Sequence, residues 1–117
     1  MDVQLRSSRP SDLLLWILRW RQRFQVTGRS MTPLLQPGDE ILIDPRAYRR
    51  SPPSLQDIVV ARRPDRLDLC VIKRVTEVLA DGSCFLKGDN SSASTDSRTF
   101  GWVSPEQILG RVVCRFL

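Results

Sequence analysis

A chain of 117 residues, 41% hydrophobic and 26% charged, has material for one compact globular domain and too little for two. Its formal charge of +5 is carried largely by the clusters Arg19, Arg21 and Arg23, then Arg46, Arg49 and Arg50, then Arg62, Arg63 and Arg66; these could meet nucleic acid, anionic lipid or acidic peptide, although scattered arginines on a small domain are more often a solvated face. There is no histidine, which excludes every Ser–His and Cys–His nucleophile pair and weakens any zinc site.

Residues 1–10 form a polar leader. Ser11 suits a helix N-cap, and residues 12–23 read as a short amphipathic helix with Leu14 and Leu18 on a broad apolar face. The apolar run Leu13–Leu18 is six residues long, against about 20 for a membrane span, and no ordered basic, apolar and small-residue sequence marks a secretory signal. The helix is expected to pack on the domain or to touch an anionic membrane peripherally, without crossing. In the second case Trp16, Ile17 and Trp20 enter the interface while the neighbouring arginines meet lipid phosphates. Leader and helix make up residues 1–24, and residues 25–117 the domain proper.

"FQVTG" reads as a short strand leading into a turn at Ser30, and "MTPLLQPGD" returns the chain to a strand, "EILID". "PRAYRRSPPSLQ" is a proline-rich surface loop. "DIVVARR", "LDLCVIKRVTEVLA" and "SCFLKGD" are further strands, the last two joined by the hairpin signal "ADG". "NSSASTDSRTFGWV" is polar and loop-like. "SPEQILG" is a short helix or turn, with Ser104 as cap, Pro105 at its first position and Gly110 at its stop, and "RVVCRF" closes as a strand. Cys70, Cys84 and Cys114 lie 14 and 30 apart, a spacing that suits neither a zinc cluster nor a self-contained disulfide set; they read as small apolar strand residues in a reducing compartment. The whole is mainly β, a small coiled antiparallel sheet or partial barrel with a short N-terminal helix.

A serine between Gly28 and Met31 is not explained by the turn alone. Nor is Lys73, which strand alternation places on one face with Leu69, Val71 and Val75. Desolvation among such neighbours lowers the pKa of an amine from about 10.4 and makes it a usable base near neutrality; the plain alternative is an edge lysine whose amine reaches water.

Residues Ser30 to Asp39, "SMTPLLQPGD", resemble the nucleophile box of type I signal peptidases and related Ser–Lys serine peptidases. "VIKRV", Val71 to Val75, resembles the box of the general-base lysine, and "KGDNSSASTDSRTFG", Lys87 to Gly101, resembles the Gly-Asp-Asn … Ser-x-Asp-Ser-Arg box. The three ordered boxes resemble the S24/S26 type of peptidase, and the compact length resembles the maturation proteases of nickel-type superoxide dismutase. The resemblance implies Ser30 as nucleophile, Lys73 as base and Ser94 as the serine that orients the lysine amine. Gly28, Met31, Asp96 and Arg98 support the site, and Gly88, Asp89 and Asn90 open the third box. Gly28 stands where some bacterial leader peptidases carry an oxyanion-stabilising serine, so that side-chain donor is missing.

The implied protein is a serine endopeptidase that removes an N-terminal leader from a precursor bound as an extended strand. It acts in the cytoplasm or at the inner face of the membrane, with no metal, cofactor or nucleic acid. Ser30 Oγ is expected within hydrogen-bond reach of Lys73 Nζ, with Ser94 Oγ beside the amine. The competing reading is a non-catalytic β-domain that binds peptide or anionic surfaces through its arginines. A self-cleaving repressor is a weaker alternative, since residues 1–27 cannot hold a helix-turn-helix domain.

Overall fold

The computed structural model describes residues 2–5 and 21–116. These residues form seven strands: β1 (Val3–Leu5), β2 (Gln22–Val26), β3 (Glu40–Asp44), β4 (Ile58–Arg63), β5 (Arg66–Val78), β6 (Cys84–Lys87) and β7 (Ile108–Phe116). They make one antiparallel sheet in the order β1-β2-β3-β7-β4-β5-β6. Register slips between Leu42 and Ile43, between Val60 and Ala61 and between Val75 and Glu77 bend and twist the strands. The sheet therefore curls until β1 returns beside β5, where the Asp2 N–H donates to Cys70 O at 3.3 Å. The result is a half-barrel from which β6 continues outward.

Both faces of the central strands are buried, so apolar residues run on without alternating with polar ones. Val3, Phe24, Val26, Met31, Leu35, Ile41, Ile43, Val60 and Ile72 fill one cluster. Val59, Ala61, Val71, Val75, Cys84, Leu86 and Val103 fill the other. Strand β4 serves both, with Val60 in the first and Val59 and Ala61 in the second, as the period of two requires. The outer edge of β6 is closed locally: Cys84 and Val103 exchange backbone hydrogen bonds of 2.8 and 2.9 Å, and Leu86 N–H donates to Ser97 Oγ at 2.8 Å.

The mainly β expectation holds, and several boundaries move. The helix expected over 12–23 lies mostly outside the described residues, as do the Trp16, Ile17 and Trp20 membrane contacts; Gln22 and Arg23, at its expected end, are instead the first residues of β2. Part of the expected leader is strand β1, whose three residues pair with Phe24, Gln25 and Val26. The polar loop after β6 contains a helical turn, Ser97–Phe100. The short helix or turn expected at "SPEQILG" is a single 3₁₀ turn, Pro105–Gln107, in which the Gln107 side chain accepts the Ser104 N–H at 3.1 Å. Gly110 is therefore not a helix stop but a residue of β7. A Cβ there would lie 2.6 Å from the Asp44 carbonyl oxygen, so only glycine lets β3 and β7 approach this closely. All three cysteines are free, one each on β5, β6 and β7.

Ile41 is fully buried in the first cluster and Leu67 is 53% exposed. Ile41→Ala is expected to destabilise the protein by about 2–5 kcal/mol, and Leu67→Ala by no more than about 0.5 kcal/mol. Urea unfolding with a shared m-value checks the difference, which nearly equal midpoints would contradict.

Candidate active site

Strand β2 ends at Val26, and Gly28 begins a bend that carries Ser30 into a tight turn. The turn is held from within by Thr32 N–H to Arg29 O (3.1 Å) and Leu35 N–H to Met31 O (2.9 Å). Met31 is its apolar anchor: 1% exposed in the first core cluster, its sulfur accepts the Asp89 N–H at 3.5 Å. It thus packs the turn against the core. Ser30 is also 1% exposed, and its hydroxyl donates to Ile72 O at 3.4 Å.

The segment after β6 wraps this turn. Asn90 donates its N–H to Ser30 O at 2.8 Å and its side-chain amide to Thr32 Oγ1 at 2.8 Å. A Cβ on Gly88 would fall 2.3 Å from Ser94 Oγ and 2.7 Å from Ser30 O, so the absence of a side chain at Gly88 is a condition of the close approach. The same segment reaches β5, where Arg74 makes a two-pronged pair with Asp89, both hydrogen bonds 2.9 Å. The three boxes singled out in the sequence therefore meet in one place.

Asp96 organises this wrap. It is 1% exposed and accepts hydrogen bonds from Ser94 Oγ (2.8 Å), Gly88 N–H (3.1 Å), Arg98 N–H (3.2 Å) and both prongs of the Arg98 guanidinium (2.8 Å each). As N-cap it also starts the turn Ser97–Phe100. Burial alone would push its carboxyl up, but the hydrogen bonds from Arg98, Ser94 and the two backbone N–H groups outweigh it and hold the carboxyl well below the usual carboxylate range.

Lys73 lies in the middle of β5 opposite Val59, 1% exposed. Its Nζ pairs with Asp2 Oδ2, and the same oxygen accepts the Ile72 N–H at 3.2 Å. The geometry expected of the dyad differs here in two contacts. Ser30 Oγ is engaged with Ile72 O and Lys73 Nζ with Asp2, so no hydrogen bond joins them. Ser94 gives its hydroxyl proton to Asp96, whose buried charge is the stronger acceptor, and makes no hydrogen bond to Lys73. Ser30, Asp2 and Lys73 nonetheless converge on one residue of β5, Ile72, and its neighbour.

Residues 13–78 and 76–117 match the family described as signal peptidase, peptidase S26. The chain belongs to that family. It is 36% identical over 110 residues to the mitochondrial ATP-independent inner membrane protease subunit 1b of Arabidopsis thaliana, a match covering 75% of this chain and 65% of that protein. It is 31% identical over 108 residues to the mitochondrial inner membrane protease subunit 1 of Xenopus tropicalis (76% and 65% covered). It is 25% identical over 134 residues to the probable signal peptidase I-1 of Synechocystis sp. (78% and 68% covered). The chain spans just under two thirds of the length of the two mitochondrial relatives.

Two contributors to this S26 site were not read from the sequence. Asp2 forms the ion pair of Lys73 from 71 residues away, with no local motif to announce it. Ser97 lies inside the third box, yet nothing in the box pattern says that its hydroxyl would satisfy Leu86 N–H.

Asp96 gives a pH test. Its carboxyl is depressed in the folded protein, so its contribution to stability is complete above the unfolded value of about 3.9 and is lost as pH falls from there toward the folded value. Asp96→Asn should lower stability by about 1–3 kcal/mol at pH 7 and flatten the loss of stability below about pH 4. Denaturant midpoints measured from pH 7 down to pH 2 check this, and parallel curves for the two proteins would contradict the assignment.

Proposed function

We propose that the protein is a serine endopeptidase in which Ser30 is the nucleophile and Lys73 the base. The observation that carries this is the convergence of the two residues on a single strand position: the Ser30 hydroxyl rests on Ile72 O, and Lys73 is the next residue. Both are 1% exposed in a site whose backbone is fixed by Asn90, Gly88 and the Asp96 hub. Neutral Lys73 takes the Ser30 proton as Oγ attacks the scissile carbonyl, then returns it to the leaving amine. Water activated by the same amine releases the acyl product. Among the described residues the Ser30 N–H has no hydrogen-bond partner, and it is the donor we assign to the oxyanion. Ser94, fixed by Asp96, lines this site as a positioning residue.

The substrate is proposed to be a precursor with an N-terminal leader, bound as an added strand. Strand β6 covers β5 only from Arg74 onward, and the uncovered edge at Cys70 and Ile72, where Asp2 stands, is the place proposed for such a chain. A nickel-type superoxide dismutase precursor is the first candidate. For the alternative of anion binding through arginines, Arg21, Arg23, Arg63 and Arg66 would first have to leave their ion pairs with Asp44, Glu40, Asp65 and Asp68.

The test is cleavage of a tagged precursor, read by intact mass. Ser30→Ala and Lys73→Arg should each lose on the order of 10⁴-fold or more in rate while staying folded. Arginine keeps the positive charge but cannot accept a proton. Near-native turnover by a folded Lys73→Arg protein would rule the mechanism out.

A further inference from the structure

The edge of β5 left open by β6 is not empty. Register with β4 turns the N–H and C=O of Cys70 and Ile72 away from β4, toward the Ser30 turn. The residues standing there are Asp2 and the strand it begins. Asp2 gives its N–H to Cys70 O at 3.3 Å, and its C=O accepts the Thr27 N–H at 2.7 Å. Its carboxylate accepts the Ile72 N–H and pairs with Lys73 Nζ. Val3 follows, 1% exposed, opposite Val26. The segment thus bridges the strand leading to Ser30 and the strand carrying Lys73, using backbone groups that an added peptide strand would need.

We propose that Asp2–Leu5 is a self-inhibitory segment: it occupies in cis the strand position of an extended substrate, and its Asp2 carboxylate sequesters the base. The proposal rests on the peptidase reading above. Three observations carry it. Asp2 already engages Cys70 O, the Ile72 N–H and the Thr27 N–H, so a substrate strand that uses these groups must displace the segment to bind. Lys73 Nζ is turned to the Asp2 carboxylate and makes no hydrogen bond to Ser30 Oγ, whose proton it has to take. Ser30 and Lys73 are both 1% exposed, so neither can be reached while the site keeps this form. Cleavage therefore requires the segment to leave, and the apparent affinity for substrate is reduced by the fraction of molecules in which it has done so.

The chain contains only two lysines, Lys73 and Lys87, and Lys87 is exposed, which supplies an internal standard. Brief acetylation of the folded protein with acetic anhydride, followed by peptide mass mapping, should label Lys73 at least about tenfold more slowly than Lys87, because the buried amine waits for local opening. Asp2→Asn removes the charge and keeps an acceptor for Ile72 N–H; Asp2→Ala removes both. Both should bring Lys73 labelling toward that of Lys87 and raise kcat/KM on the precursor by about fivefold or more, since the competent fraction increases. Circular dichroism confirms folding of the variants, and the labelling of the unaltered protein needs no variant at all.

Lys73 labelled as fast as Lys87 in the unaltered protein overturns the inference, whatever the cleavage result. Folded variants that cleave no faster than an active unaltered protein overturn the inhibition and leave the Ser–Lys peptidase standing. A shielded Lys73 that opens in the variants, with no precursor cleaved by any form, sinks the peptidase reading and the inhibition with it.

Discussion

The carboxylate of Asp96 is the interaction on which the site's shape depends. It is buried, and it accepts hydrogen bonds from a serine hydroxyl, two backbone N–H groups and a guanidinium fork. A buried charge is tolerated only when its acceptor capacity is filled in this way. Filling it fixes the path from Gly88 to Arg98, and that path presents the Asn90 N–H to Ser30 O. The Ser30 turn is thus held from outside its own sequence, by a segment whose geometry is set by electrostatics more than by apolar packing.

The half-barrel supplies the second support. Strand β5 is long enough to do different things along its length: it pairs with β4 over most of its course, with β6 only in its second half, and meets Asp2 and Ser30 in between. Lys73 falls at the junction. A residue there has both core clusters nearby and, beside it, an edge that β6 does not cover and where Asp2 stands, which is how a cationic side chain can be buried and still have a polar partner.

Sequence alone recovered the parts of this arrangement that local chemistry dictates. "EILID" is strand β3 residue for residue, because Ile41, Leu42 and Ile43 are all buried and a glycine–aspartate turn precedes them. The three boxes lie against one another in the fold, with Ser30, Lys73 and Ser94 hydrogen-bonded to Ile72, Asp2 and Asp96 and not to each other. What was missed depends on distant partners. Strand β1 has three residues and exists because it pairs with β2, a contact no window of its own sequence contains. Gly110 resembled a helix stop until β3 was placed against it. The hydroxyl of Ser94 had two acceptable directions, and the Arg98-braced carboxylate of Asp96 decided between them. Chain position gave no hint that Asp2 would reach Lys73.

The closed outer edge of β6 bears on how this domain behaves in company. A strand at the end of a sheet with unpaired N–H groups is a template for another chain, and identical copies can stack on it into fibres. Here the outward N–H of Cys84 goes to Val103 and that of Leu86 to the Ser97 hydroxyl, so one backbone bridge and one side chain blunt the end. The blunted end thus limits the tendency of the domain to polymerise with itself.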